Sequence, residues 1–301
     1  MKTQMLVGVV AFLSATVNLW AVANDDARKA ELETLSSRLK YQTGQIHLRD
    51  GLATVNLTDE FRYVDPAGTE TLLTGVWGNP PAKTRPLGMI VPANFDPFAP
   101  DSWCVVLDYQ EDGYVKDNDA ESINYDKLLK TMQEATHKAN TERMKNGYPA
   151  VELVGWATAP HYDKDTHKFY WAKEIKFGND KHGNTLNYNL RILGRRGVLV
   201  LNAVANMSEI QQIEEATPKI LGMVDFDAGN RYADYTPGVD KIATYGLAAL
   251  VAGGIAAKAG LFKALFVAIL ALKKFVLLGV AAIVGFFKKL FGGKKQGGSA
   301  S

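Results

Sequence analysis

The stretch VELVGWATAPHYDKDTHKFYWAKEIKFGNDKHGNTLNYNLRILGRRGVLVLNAV, residues 151–204, decides the fold. It holds four strand-like runs, at 151–158, 168–177, 185–193 and 198–204. The links between them, at 160–166, 178–184 and 194–197, are loop-like in composition. Links this short favour antiparallel neighbours, so the four runs are read as a meander. The last link, GRRG, reads as a two-residue hairpin turn flanked by glycines.

Working outward, Ser208 is placed to cap a helix, with Gln211 three residues on completing a capping box. Ile210, Ile213 and Ile220 would face inward from that helix. On the other side of the meander lies a long helix at 125–145, where Tyr125, Leu128, Leu129, Met132, Ala135 and Ala139 recur at three- and four-residue steps. Asn124 is its N-cap, and Asn146-Gly147 with Pro149 ends it. Further upstream the pattern turns to short strands, at 46–48, 53–57 and 61–64, broken by turns at Asp50-Gly51 and Asp65 to Gly68. Asn79-Pro80-Pro81 must be a loop. Residues 26–42 read as a surface helix through Leu32, Leu35 and Leu39. Trp103 to Leu107 reads as a buried strand, which makes Cys104, the single cysteine, a small core hydrophobe. The fold class expected is α+β: an antiparallel sheet of the meander plus N-terminal strands, with helices packed on one face and a C-terminal membrane helix segment following.

The overall charge of +2 conceals a division. Residues 24–240 keep 24 of the 34 basic residues and all 32 acidic ones, a net of −8. That domain should repel polyanions, so no nucleic-acid partner is expected. Residues 241–301 hold nine lysines and no acidic residue, arginine, histidine or proline. Long apolar runs punctuated only by lysine suit a bilayer, and anionic lipid in particular. At the other end, Lys2, an apolar stretch and Ala21-Val22-Ala23 read as a signal peptide over residues 1–23, with an uncleaved first transmembrane helix as the alternative.

Residues 241–262 are long enough to span a bilayer if Lys258 snorkels. In 263–291, taking Lys263 as zero, Lys274 and Lys288 fall at about 20° and −20° around a helix, and Lys273 and Lys289 at about −80° and 80°. One lysine stripe on an apolar cylinder is how an interfacial helix is built, so one span plus an in-plane helix is preferred to two spans. A two-span hairpin would bury lysines at a cost of a few kcal/mol each. Residues 292–301 form a Gly/Lys/Ser tail. The lipid bilayer is the expected partner here, with Lys258, Lys263, Lys273, Lys274, Lys288 and Lys289 at its interface. A homo-oligomer through the membrane segment is the alternative use of the same stripe.

Several strings together resemble a known family. They are WGNPP (from Trp77), GYVKDNDA (from Gly113), NYDKLL (from Asn124), GWATAPHYD (from Gly155), LNYNLRILGRRGVL (from Leu186), GNRYADY (from Gly229) and DKIATYGLAALVAGG (from Asp240). The chain resembles the bacterial domain of unknown function family 2167, described as predicted membrane-anchored proteins, from about Gly44 to Lys289. The resemblance implies a bacterial origin, an exported domain and a C-terminal anchor. It implies no chemistry.

The residues themselves offer few catalytic patterns. Asp117, Asp119 and Glu121 begin like a calcium loop, but Ser122 and Leu128 stand where its glycine and bidentate glutamate belong, leaving turn and capping carboxylates. His161, Asp163, Asp165 and His167 share one hairpin loop whose spacing matches no closed zinc site. No serine sits in a nucleophile-elbow frame, and no glycine-rich loop opens a helix. No cofactor or metal is therefore expected. Trp156, Tyr162, Tyr170, Trp171 and Tyr188 are concentrated in the meander, mainly for packing. Trp156, His161, Tyr162, Asp163 and His167 are carried forward as a candidate binding surface. The expected function is a membrane-anchored envelope protein of the bacterial inner membrane whose acidic domain, outside the cytoplasm, binds a protein or ligand partner. The alternatives are an envelope-acting enzyme using His161, Asp163 and His167, and a membrane effector assembling through the lysine-striped tail.

Overall fold

A computed structural model of the chain describes residues 34–35, 37–77, 84–99, 102–145, 149–178 and 183–252. In chain order the elements are β1 (Tyr41–Gln42), β2 (Gln45–Leu48), β3 (Ala53–Asn56), β4 (Phe61–Val64), α1 (Pro66–Glu70) running into a π-helical turn (Thr71–Val76), β5 (Gly88–Pro92) and β6 (Val105–Gln110). They continue with α2 (Tyr125–Lys145), β7 (Val151–Asp163), β8 (Lys168–Phe177), β9 (Thr185–Leu193), β10 (Val198–Asn206), α3 (Ile210–Met223), β11 (Val224–Phe226) and α4 (Leu247–Ala252). The α+β class holds. Eight strands form one sheet in the order β1-β4-β5-β6-β10-β9-β8-β7, and β11-β3-β2 form a second. All the ladder pairs are antiparallel. The meander β7 to β10 is therefore present, and β6 joins it to the N-terminal strands.

Every residue of β9 is buried, so both faces of the sheet must be covered. On one face Tyr188, Leu190, Ile192, Leu199 and Leu201 pack beneath α3 and the three-stranded sheet. On the other, Phe169, Trp171, Val198 and Val200 pack beneath Val115, Tyr232, Ala243 and the α4 residues Leu247, Leu250 and Val251. Helices on one face only was too simple an expectation. The second cover comes from loop segments with no helical period and from Leu247, Leu250 and Val251, whose helical spacing reads equally well as part of a membrane segment.

The long helix α2 has the expected bounds and cap, with Lys127 N donating to Asn124 Oδ1 at 2.9 Å. It buries none of its residues fully. Leu129 and Met132 rest on Val151, Leu153, Ile175 and Phe177, while the helix lies along the free edge of β7. Asn140 Nδ2 donates to Val151 O at 2.8 Å and its Oδ1 accepts from Val151 N at 2.8 Å. Gln133 Nε2 donates to the carbonyls of Leu153 and Val154, at 3.1 and 3.0 Å.

Four local expectations are corrected. Residues 26–42 do not continue as helix to Gln42, because Tyr41 and Gln42 pair with Val64 and Tyr63. Asp65 to Gly68 is no turn: Asp65 caps α1, accepting from Gly68 N at 2.7 Å, with Pro66 in the first helical turn where a missing N–H costs nothing. The helix after β10 is capped by Asn206 with Glu209, two residues before Ser208; Asn206 N donates to Glu209 Oε2 at 2.6 Å. β7 runs on through Pro160 to Asp163, with register irregularities on the way, so the hairpin loop is confined to 164–167. Proline is tolerated because β7 is an edge strand.

From Lys241 to Ala252 the chain stays with the domain. Tyr114 N donates to Lys241 O and Ala243 N to Tyr114 O, each at 2.8 Å, bridging Tyr114 to Ile242. Residues 241–252, expected to open a membrane helix, pack on the sheet in the second cluster. Among the described residues no helix is long and apolar enough to cross a membrane. The signal peptide at 1–23, the Pro80-Pro81 loop, residues 253–262, and Lys258, Lys263, Lys273, Lys274, Lys288 and Lys289 lie outside the described residues.

Candidate functional site

The turn between β7 and β8 sets His167. The Asp163 carboxylate accepts from Thr166 Oγ1 at 2.7 Å, Asp165 N at 2.9 Å and Thr166 N at 3.3 Å, folding the loop back on itself. The Thr166 hydroxyl and these amides hold Asp163 below the usual carboxylate range. Leaving that turn, His167 takes a left-handed φ of 54°, rare for a residue other than glycine. Its imidazole reaches the face of the sheet that α4 covers.

There it meets Tyr162 and Asp117. The Tyr162 hydroxyl donates to Asp117 Oδ2 at 2.8 Å, and His167 Nδ1 lies 3.1 Å from the Tyr162 oxygen and 3.5 Å from Asp117 Oδ2. With the phenol proton directed at the carboxylate, the pattern assigns Nδ1–H of His167 as donor to the Tyr162 oxygen. In the neutral ring Nε2 is then the acceptor nitrogen, and it has no hydrogen-bond partner among the described residues. Burial, followed by the bonded Asp117 carboxylate, pushes the Tyr162 hydroxyl far above its ordinary range, so it stays a phenol.

The imidazole also ends a ladder of rings. Tyr235 stacks on Tyr114 at 3.9 Å and 17°, Tyr114 on Tyr232 at 4.4 Å and 27°, and Tyr232 on His167 at 4.0 Å and 34°. Tyr232 is buried and donates to Val115 O at 3.0 Å, while Tyr114, Tyr235 and His167 are half-buried. Two arginine-rich contacts hold the segment that carries Tyr232 and Tyr235. Gly194 bridges Arg231, and Arg195 Nε donates to Asp240 Oδ2 at 2.7 Å. The GRRG hairpin is thus also a clamp. Arg195 holds the Asp240 carboxyl below its usual range.

The structure divides the surface expected from the sequence. Tyr162 and His167 come together. Trp156 is half-buried beside the same cluster, its indole N–H reaching Tyr125 O at 3.4 Å. His161 pairs with Tyr170, 5.1 Å between rings, on the opposite pleat from Tyr162, and Asp163 is spent on the turn. His161, Asp163 and His167 therefore do not converge. The three carboxylates of the failed calcium loop separate as well. Asp117 joins the ladder, Asp119 accepts from Leu247 N at 3.3 Å and Ala248 N at 3.5 Å at the start of α4, and Glu121 lies 3.6 Å from Lys164. Among the described residues no group of three or more His, Cys, Asp and Glu side chains could hold a metal ion.

Asp117, Tyr114, Tyr232 and Tyr235 were not expected at one site. They come from GYVKDNDA and GNRYADY, and Tyr162 from GWATAPHYD, three of the strings that carry the family resemblance. Strings so far apart in sequence meeting in one ladder is the signal that was present and unused. A family model described as "Protein of unknown function (DUF2167)" matches residues 40–284. This chain belongs to the DUF2167 family. No curated protein matches it. Among solved structures, this DUF2167 chain is similar to cyanobacterial PsbP (CyanoP) from Synechocystis sp. PCC 6803, at 6% identity and a TM-score of 0.35, over 60% of this chain and 91% of that one. It is also similar to LpqN, involved in cell envelope biogenesis of Mycobacterium tuberculosis, at 15% identity and a TM-score of 0.30, over 63% of this chain and 92% of that one. Likeness at that level leaves the case for the DUF2167 site with its own residues.

Proposed function

We propose that this DUF2167 chain is a membrane-anchored binding or scaffolding module of the bacterial envelope. Its folded domain stands outside the inner membrane and recognises a protein or ligand partner at the ring ladder. The observation that carries this is the ladder itself: half-buried Tyr114, Tyr235 and His167 stacked about a buried Tyr232, backed by Asp117 and Tyr162. Rigid aromatic surface with satisfied polar ends is what recognition sites are made of, since it binds at little entropic cost. The lysine-punctuated apolar tail supports attachment to the bilayer, and the domain's net charge of −8 speaks against a nucleic-acid partner. Assembly of copies through the tail is compatible with the same anchor.

A photo-reactive residue in place of Thr166, in the full chain in native membranes, tests the proposal. One recurring partner should be captured, and Tyr235→Ala should abolish the capture. Capture unchanged by Tyr235→Ala, or no capture, overturns it. Placement is tested by Asp165→Cys, which should react with a membrane-impermeant maleimide in intact spheroplasts.

A second reading, acid–base chemistry on envelope material, is favoured by one observation, the Nε2 of His167, unpartnered among the described residues at the end of the Asp117–Tyr162 chain. It requires that His167→Gln abolish cellular function while the near-UV spectrum of the ladder tyrosines is unchanged.

A further inference from the structure

The face of the sheet beneath α4 changes character along β8 and β9. Near His167 it is apolar, through Phe169, Leu193 and Val198. A few residues along, register places Trp171 opposite Asn189, Lys173 opposite Asn187 and Ile175 opposite Thr185, with Asn202 of β10 beyond Asn189. Alternation puts Arg191 on the same face. Arg191 is 5% exposed, and Asn187, Asn189 and Thr185 are buried too. A buried polar stripe of this kind must account for its hydrogen bonds.

The bonds run in one direction. Arg191 Nη2 donates to Asn189 Oδ1 at 3.3 Å, and Asn189 Nδ2 donates in turn to Asn187 Oδ1 at 3.0 Å. Arg191 Nη1 donates to Asn202 Oδ1 at 3.0 Å and to the carbonyls of Leu190 and Leu201. Each of the two branches uses up a side-chain carbonyl and ends in an amide NH2, on Asn187 and on Asn202. Neither NH2 has a hydrogen-bond partner among the described residues, and the amide orientation follows from the arginine, which can only donate. Lys173 Nζ, on a half-buried side chain, likewise has no acceptor or ion pair there. Trp171 Nε1, on a side chain 1% exposed, and Thr185 Oγ1 are buried without a partner. No carboxylate lies within ion-pair distance of Arg191 or Lys173 among the described residues; Asp108, on β6 of the same sheet, is held above its usual range by burial.

We infer that this patch binds a phosphate group, with Lys173, the NH2 groups of Asn187 and Asn202, Trp171 Nε1 and Thr185 Oγ1 as its donors. Around the Lys173–Asn187 row the register gathers unpartnered donors beside two cations, with Trp171 and Asn202 one row to one side and Thr185 one row to the other, so the complement is an anionic acceptor. The donors outnumber what the two oxygens of a carboxylate would take up, whereas a tetrahedral oxyanion offers more. Burial, and then neighbouring Arg191, pushes Lys173 down to about 8. The phosphate can be free or carried on a lipid headgroup, and either source meets the same donors.

The full chain in non-ionic detergent tests this. Inorganic phosphate, compared with chloride at matched ionic strength, should raise the melting temperature in a saturable way. Lys173→Met should weaken phosphate at least tenfold, and Thr185→Val should weaken it less. Lys176→Met, exposed on the opposite pleat of the same strand, should leave it unchanged. In a second arm, bilayer discs of phosphatidylglycerol should occupy the site and abolish the response to added phosphate if the lipid is the source. Discs of uncharged glycolipid should leave it intact. No phosphate effect beyond chloride, or equal losses in Lys173→Met and Lys176→Met, overturns the inference.

Discussion

Leu247→Ala asks where the folded domain ends. Leu247 is 0% exposed and packs in the cluster that holds Phe169, Trp171 and Val200. The substitution removes three carbon groups, worth about 0.8 kcal/mol each on transfer, or about 2.4 kcal/mol. The cavity left behind raises this to about 3 kcal/mol, inside the range of about 2–5 for buried leucines. With a urea slope of about 3 kcal/mol/M for a domain of this size, the unfolding midpoint should fall by about 1 M. The assay is urea unfolding of the full chain in non-ionic detergent, followed by tryptophan fluorescence, with Trp171 as a reporter in the same cluster. Val239→Ala, at a side chain 75% exposed, is the control and should stay within about 0.5 kcal/mol. A Leu247→Ala midpoint as unmoved as the control's would refute the packing of 241–252 on the sheet and return that segment to the bilayer.

Gly113→Ala probes the same junction from the other side. Gly113 has φ of 109°, and an added Cβ would stand 2.7 Å from Lys241 O and 2.9 Å from Ala243 N, so a loss of about 1–3 kcal/mol is expected in thermal melts. A wild-type melting temperature would contradict the Tyr114–Ile242 bridge. The Cys104 thiol, pushed up to about 12 by burial, should resist an aromatic disulfide reagent at pH 8 in the native chain and react fully in urea. Rapid native labelling would place it at the surface. Lys173 has a folded value of about 8 against 10.5 for the free side chain, so the unfolded chain holds a proton that the folded chain has released between those values. Stability should therefore be lower below about pH 8 and rise as pH goes towards 10.5. Lys173→Met should flatten that rise, and an unchanged slope would show that the lysine is solvated.

The meander and α2 are legible because their signals are local: short links, a 3.6-residue period, an asparagine cap and a glycine–proline stop. What sequence left hidden depends on partners far away in the chain. Pro66 reads as a turn former until Asp65 is seen accepting from Gly68 N, at which point the same residues are a capped helix. Glu209 outcompetes Gln211 because its carboxylate reaches Asn206 N. At the site, Tyr162 and His167 were within reach of sequence reasoning, being neighbours across one hairpin. Asp117 was not, since its partner is 45 residues away and its surroundings read as a calcium loop gone wrong. His161 fails for a simple reason of parity: it is one residue from Tyr162 on a strand, and so on the other pleat. The Leu247–Val251 stretch misleads because a core-facing and a lipid-facing segment are written in the same apolar letters.

The side chains of α2 along β7 have a consequence for solubility. An open sheet ends in a row of unpaired peptide groups, which is a template for adding strands from other molecules. At Val151 that template is already answered, because the Asn140 amide offers one donor and one acceptor at 2.8 Å each, as the peptide of a neighbouring strand would. Gln133 satisfies two more carbonyls further along. The helix thus acts as a counterfeit strand. Another copy meeting β7 at 151–154 finds its edge already capped, so strand addition must take place farther along β7 or at another edge of the domain.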